Sequence, residues 1–266
     1  MSLKPTTNHR YVGIELEFLI KAQDPNKKTK VMINVVRDAL TTAGLSNYVH
    51  VGYDLSLEPD DDLPTAYYED DDGYEVESDD YLDHDFDTWF GGTCPVEVRI
   101  LAKEYEVPFV VPAVVNVIKE LGGYINNTCG LHVHLDMRRR CFNTSAFRLF
   151  DIQDTIADMM PESRRNNDFC IFRKFDMYFI ESKGQGYNRY SAINLAAYTE
   201  HKTIEVRCHE GTLDAKSITD WANFLVSVVD NKQPTQEEID YVNSRMDAYP
   251  RPEIVSTVRQ ADEIPF

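Results

Sequence analysis

Four short segments of this chain alternate apolar and ionisable residues with a period of two. They are Gly13-Ile14-Glu15-Leu16-Glu17-Phe18, Val96-Glu97-Val98-Arg99, Leu131-His132-Val133-His134-Leu135 and Ile204-Glu205-Val206-Arg207. On a β-strand that period sends the polar side chains to one face and the apolar ones to the other. The segments predict strands over Tyr11–Ile20, Val96–Leu101, Gly130–Asp136 and Thr203–His209, and Tyr48–Leu57 reads as another. Apolar residues at helical spacing predict helices over Val31–Ala43, stopped by Gly44, and over Val107–Leu121, with Pro108 and Pro112 near its start and Gly122-Gly123 closing it. Further helices are expected over Ser145–Met160 and over Asp214–Val229, where Asp214 serves as N-cap. Asn188–Ala197 is expected to pair with Thr203–His209 through a short turn, and Pro234–Phe266 to hold one short helix and a Pro-rich end. No internal repeat is present. The half-buried periods suit an antiparallel or mixed sheet with helices on one face better than an all-parallel sheet.

Brought into one sheet, these strands would gather Glu15, Glu17, Glu97, Glu205, His132, His134, Arg99 and Arg207 on a single surface. Carboxylates at close range cannot all ionise unless cations sit between them, so the pattern asks for divalent metal. The arginines ask for an anion such as phosphate. Taken singly each segment has a plainer explanation: a solvated edge for the Glu pair, a surface ion pair for each Glu-x-Arg, a chance His-x-His. The weight lies in all four occurring together. Arg164-Arg165 reads equally as a helix-end charge pair or as part of the site, and Arg189 as an edge residue or an anion contact.

Charge adds one feature. The net charge is −18, but residues 58–87 hold 15 Asp or Glu and no Lys or Arg, and the remainder carries only −3. That acidic stretch reads as an insertion partly ordered by Tyr67, Tyr68, Tyr74 and Tyr81, ending near Trp89 and Gly91-Gly92. A basic footprint for nucleic acid is missing, as are P-loop and Rossmann fingerprints. No apolar run reaches membrane-spanning length, and residues 1–10 hold no signal-peptide core. Five cysteines, an odd number without CxxC spacing, favour reduced thiols and a cytoplasmic setting.

The order GIELEF, DLSL, VEVR, GLHVHLD, RRNNDFC, RYSAINL, TIEVRCHEGTLD resembles the amidoligase family, carboxylate–amine ligases related to glutamine synthetase and glutamate–cysteine ligase. The likeness runs from about Tyr11 to about Val229, and the His-x-His and ExRxHEGTLD segments are its specific parts. The acidic insertion departs from the family pattern, as does Asp54-Leu55-Ser56, where the family leads one to expect a glycine between Asp and Ser. The resemblance implies an α+β fold: a curved, mainly antiparallel sheet with helices packed outside, a catalytic domain over 1–233 and a C-terminal helix and tail over 234–266. It implies ATP and Mg²⁺ or Mn²⁺ as cofactors. Glu17 and Glu97 would hold one cation, and Glu15, His132 and Glu205 another. His134 would sit near the phosphates, Arg207 on the phosphoryl group in flight, and Arg189 with Arg164 or Arg165 on phosphate or substrate carboxylate. Asp54 is a candidate base for the amine. The implied partners are a small-molecule or peptide carboxylate and an amine; oligomeric state is open. Two rival readings stand beside it: a metal-dependent hydrolase, and an acidic protein-interaction module with a vestigial site.

Overall fold

The computed structural model describes residues 10–21, 29–54, 56–57, 68–69, 75–76 and 93–250. Most of the acidic stretch, and with it the expected role of its tyrosines, lies outside the described residues. The elements in chain order are β1 (Tyr11–Lys21), α1 (Thr29–Thr42), β2 (Val49–Gly52), β3 (Tyr68–Glu69), β4 (Glu75–Val76), β5 (Thr93–Lys103), α2 (Val107–Glu120), β6 (Gly123–Tyr124), β7 (Gly130–Asp136), α3 (Phe142–Asp151), α4 (Gln153–Asp158), α5 (Glu162–Arg165), α6 (Met177–Glu181), β8 (Ile193–Asn194), α7 (Ala197–His201), β9 (Thr203–Glu210), α8 (Ala215–Asp230) and α9 (Gln236–Ala248).

One seven-stranded sheet organises the molecule in the order β2-β5-β1-β7-β9-β8, with β6 also on β1; β3 and β4 form a separate pair. Every neighbouring pair in the large sheet is antiparallel, and the sheet is open and curved. The expected α+β class is what the chain adopts. The central strand β1 shows how the alternation builds both faces. Val12, Ile14, Leu16, Phe18 and Ile20 point into the main core, each almost fully buried. There they meet Val36 and Leu40 of α1, Val111, Val114 and Ile118 of α2, Leu149 of α3 and Trp221 and Leu225 of α8. Fully burying one such side chain stabilises by about 1.5–3 kcal/mol, so this face fixes the strand register. A one-residue slip would exchange it for the charged face. Pro95 sits in β5 beyond the stretch that pairs with β2, where the strand is an edge among the described residues and a missing N–H costs little.

Two expected elements take different forms. The helix over Ser145–Met160 breaks at Ile152, giving α3 and α4. Asn188–Ala197 contributes only a two-residue strand, and the expected short turn is the helix α7. Here side chains compete with the ladder. Asn188 Oδ1 accepts from Tyr190 N at 2.8 Å, Ser191 Oγ donates to Asn188 O at 2.8 Å, and Asn194 Oδ1 accepts from Ala196 N at 2.9 Å. Such local bonds offer the backbone an alternative to strand pairing. Asp214 does cap α8, accepting from Lys216 N. No helix among the described residues is long and apolar enough to cross a membrane.

Candidate active site

The face of the sheet turned away from the main core carries the ionisable residues. Strand register sets their neighbours: Glu15 lies opposite both Arg99 and His132, Glu17 opposite Glu97, and His134 between Gly13 and Glu205. Glu15, Glu97, Arg99, His132, His134, Glu205 and Arg207 all line one cavity of about 760 Å³. His132 Nδ1 stands 3.1 Å from Glu15 Oε2 and 3.5 Å from Glu205 Oε1, while its Nε2 is 3.4 Å from Glu17 Oε1. His134 Nε2 lies 3.3 Å from Glu15 Oε1, and its Nδ1 is 3.0 Å from Thr203 Oγ1. Arg99 pairs with Glu97 and lies 3.6 Å from Glu15. Arg207 reaches Glu205 Oε1 at 3.2 Å. The sheet thus brings all four alternating segments together.

The alternation along β9 is broken once. Pairing with β7 runs Glu205–His134 and Val206–Val133, then resumes at His209–Leu131. Arg207 and Cys208 together oppose His132, a β-bulge with two residues facing one. Strict alternation would have sent His209 to the charged face. The bulge turns it inward instead, fully buried against Trp221, with Nε2 3.1 Å from Tyr241 Oη.

Electrostatics follow from the crowding. Burial would raise the Glu15 carboxyl, but its contacts with His132 and His134 outweigh that and hold it well below the usual range. Burial pushes Glu17 up, reinforced by the charge of Asp54 and opposed by His132. Burial and the charge of Glu15 push Glu97 up to about 7 against the pull of Arg99. Burial acts to lower both imidazoles, yet the carboxylates raise them: Glu17 and Glu15 for His132, Glu15 and Glu205 for His134. The raised carboxyls and imidazoles all favour added positive charge on this face, which is the demand a bound cation meets.

Two groups could meet it. Ligand atoms of Glu15, His134 and Glu205 lie within 4.8 Å of one another, as do those of Glu17, Asp54 and Glu97. Two atoms in these groups, Glu97 Oε1 and His134 Nε2, are fully buried and face charged neighbours, Arg99 and Glu15. Carboxylate oxygens with one imidazole form a donor set suited to Mg²⁺ or Mn²⁺. The grouping puts His134 beside Glu15 and Glu205, while His132 stands between the two groups. It also brings Asp54 to Glu17 and Glu97, as a potential ligand.

The family model described as "Putative amidoligase enzyme" matches residues 8–188 and 184–229. The chain belongs to the amidoligase family. No curated protein matches it.

In this amidoligase the other arginines divide sharply. Arg189 lines the cavity and lies over the Tyr190 ring, 5.4 Å from its centroid, with Arg207 over the same ring at 5.7 Å. Arg165 instead donates to Met160 O at 2.8 Å and Tyr249 O at 2.9 Å, fastening loop to C-terminal segment. Its neighbour Arg164 is 4% exposed and reaches β9. Three supports lie outside the four alternating pairs of ionisable residues. Asn194 Nδ2 donates to Glu205 Oε2 at 2.6 Å, Gly130 N donates to Glu17 Oε2 at 2.5 Å, and Thr203 meets His134. Asn194 had a signal, a polar residue flanked by Ile193 and Leu195 in the same alternation. α9 lies beyond the matched residues but is bonded to β9 through Glu210 and Arg245.

Proposed function

We propose that this amidoligase joins a carboxylate to an amine at the expense of ATP, through an acyl phosphate. The observation that carries the reading is the pair of adjoining ligand groups, Glu15/His134/Glu205 and Glu17/Asp54/Glu97, on one sheet face with Arg207 and Arg189 beside them. In the first step a substrate carboxylate oxygen attacks the γ-phosphorus, the bond to the β,γ-bridging oxygen breaks, and ADP leaves. In the second a neutral amine attacks the activated carbonyl, the C–O bond to the phosphate breaks as C–N forms, and the departing phosphate takes up the amine's proton. Mg²⁺ or Mn²⁺ held by the two groups would neutralise the repulsion between triphosphate and attacking carboxylate. Arg207 has a defined task. Its Nε donates to Phe169 O at 3.0 Å and its Nη1 to Glu205 Oε1 at 3.2 Å, which fixes the guanidinium plane beside the ligand groups. A fixed guanidinium stabilises charge on the equatorial oxygens of a phosphoryl group in transfer without reorganising. Asn194 and Gly130 hold Glu205 and Glu17 from behind, as outer partners of ligands do. Small-molecule acids and amines are the substrate class that the family suggests.

The test is a thermal-shift measurement with ATP, with and without Mg²⁺, and with EDTA. ATP at about 100 times its dissociation constant should stabilise by about 2.7 kcal/mol, and only with the cation. Incubation with Mg²⁺, ATP and mixed amino acids and amines should then yield ADP and a product heavier than its acid, read by mass spectrometry. Equal stabilisation with EDTA would overturn the metal-held nucleotide. ADP release without a condensed product from any acid–amine pair would point to hydrolysis.

A further inference from the structure

A bulge leaves carbonyls without their ladder partners, and a buried carbonyl must be satisfied from elsewhere. At the β9 bulge a single side chain does this. Arg164 Nη2 donates to Arg207 O at 2.8 Å and Arg164 Nε to Cys208 O at 3.3 Å. These are the two residues that together oppose His132. The guanidinium comes from the short helix α5, which packs on β9, and Cys170 Sγ bonds the Arg164 carbonyl at 3.2 Å, steadying its backbone. The same group borders the metal-ligand face. A Cβ built on Gly130 would lie 3.0 Å from Glu17 Oε2 and 3.2 Å from Arg164 Nη2, so carboxylate and guanidinium share the space above that glycine.

We propose that Arg164 is a positioning residue, one that holds the bulge in the register that keeps Arg207 on the charged face while His209 faces the core. The bulge makes two successive demands on one strand: Arg207 outward beside Glu205, and His209 inward to Tyr241. Without a donor for both carbonyls, β9 is driven toward regular alternation, which satisfies its backbone but misplaces one of those side chains. The far end of the strand is pinned independently, since Arg245 of α9 grips the Glu210 carboxylate. Arg164 therefore acts on the bulge between two fixed points and not on the strand as a whole. The consequence for chemistry rests on the ATP-dependent reading above; the consequence for the strand does not.

Two sets of measurements separate these layers. The first needs no nucleotide. Arg164→Met and the milder Arg164→Lys are compared with wild type by amide hydrogen exchange over residues 206–210 and by ¹⁵N NMR of the His209 ring. Arg164→Met should speed exchange there by at least about tenfold while the β1 amides keep their protection, and should shift the His209 resonances; Arg164→Lys should lie between. Unchanged exchange and an unchanged ring signal in both variants would overturn the proposal. So would a uniform rise in exchange across the whole sheet in Arg164→Lys. The second set uses Mg·ATP and, as a phosphoryl-transfer mimic, Mg·ADP with aluminium fluoride, bound to wild type, Arg164→Lys, Arg207→Met and the double variant. Arg164→Lys should weaken the fluoride complex at least about tenfold more than Mg·ATP, and should add little once Arg207 is gone. Additive losses in the double variant would overturn the link to Arg207. A wild type that binds neither nucleotide complex would sink the ligase reading, and the exchange data alone would then decide the role of Arg164.

Discussion

At the scale of single residues, crowding decides what substitution does. Gly130 donates its N–H to Glu17, and an added Cβ would come within 2.9 Å of His132 Nε2 as well as against Glu17 and Arg164. All three are ends of side chains, so the fold yields while the site does not. Gly130→Ala should cost on the order of 1 kcal/mol in chemical denaturation. Its Mg²⁺-dependent ATP affinity, measured by calorimetry, should fall at least about tenfold, as when outer partners of metal ligands are lost. His209 offers a different test. Burial holds its imidazole down at about 4 in the folded chain. The unfolded chain takes up a proton near the ordinary pKa of about 6.5. Between these values the unfolded state binds more protons, so stability falls as pH drops from about 6.5 to about 4, by on the order of 3 kcal/mol in all. Denaturation series at several pH values should show that slope in wild type and a flatter one in His209→Gln.

At the scale of elements, β9 is the strand on which most depends. It supplies Glu205 and Arg207 to one face and Ile204, Val206 and Cys208 to the core. Its last residues are tied to α9 by Arg245 on Glu210, by Tyr241 on His209, and by Tyr249 Oη on Glu210 at 3.2 Å. α9 is itself built to hold: Thr235 caps it, Glu238 closes the capping box and accepts from Ser227 of α8 at 2.6 Å. Sequence boundaries alone would treat residues 234–266 as an appendage. A chain ending at residue 233 should fold with a lower melting temperature and lose exchange protection in β9 before β1, because β1 lies between the long strands β5 and β7, whereas β9 has only the two-residue β8 on one side and loses its ties to α9. Equal protection in β9 with and without α9 would show that these bonds contribute nothing to the strand.

At the scale of the molecule, a second polar cluster joins segments that lie far apart along the chain. Arg140, whose side chain is 2% exposed, donates to Asp230 Oδ1 at 2.8 Å and to Asp136 O at 3.0 Å, and pairs with Glu104. Asp230 also pairs with Arg10 and with Lys232 at 3.2 Å. The cluster thereby links the start of β1, the end of β5, the β7–α3 connection and the end of α8. Removing one partner of a buried pair leaves an uncompensated charge, which costs about 3–5 kcal/mol. Arg140 keeps Glu104 in Asp230→Ala, so that variant should lose less, about 1.5–3 kcal/mol by denaturant titration, with Asp230→Asn between it and wild type. Mg·ATP affinity per folded molecule should be unchanged.

Much of this was written in the chain. Period-two alternation is a local property, and it was enough to place Glu15, Glu17, Glu97, His132, His134, Glu205 and Arg207 on one face. The apolar partners bury so much surface that the strands have one workable register. β7, α2 and α8 came close to their expected bounds for the same reason: their patterns and caps are contiguous in sequence. Tertiary structure alone decided what depends on partners distant along the chain. The β9 bulge needs Arg164, some forty residues earlier, to satisfy its carbonyls, so strict alternation misjudges His209. Arg164 and Arg165 are equivalent as a dipeptide, yet the turn of α5 sends one to the sheet and the other to Tyr249. Asp54 reads in the sequence as a candidate base for the amine, and becomes the third carboxylate of a cluster only when β2 lies beside β5. Spacing along the chain fixes which face a side chain takes; which neighbours it meets there depends on strand order, bulges and the buried groups that must be paired.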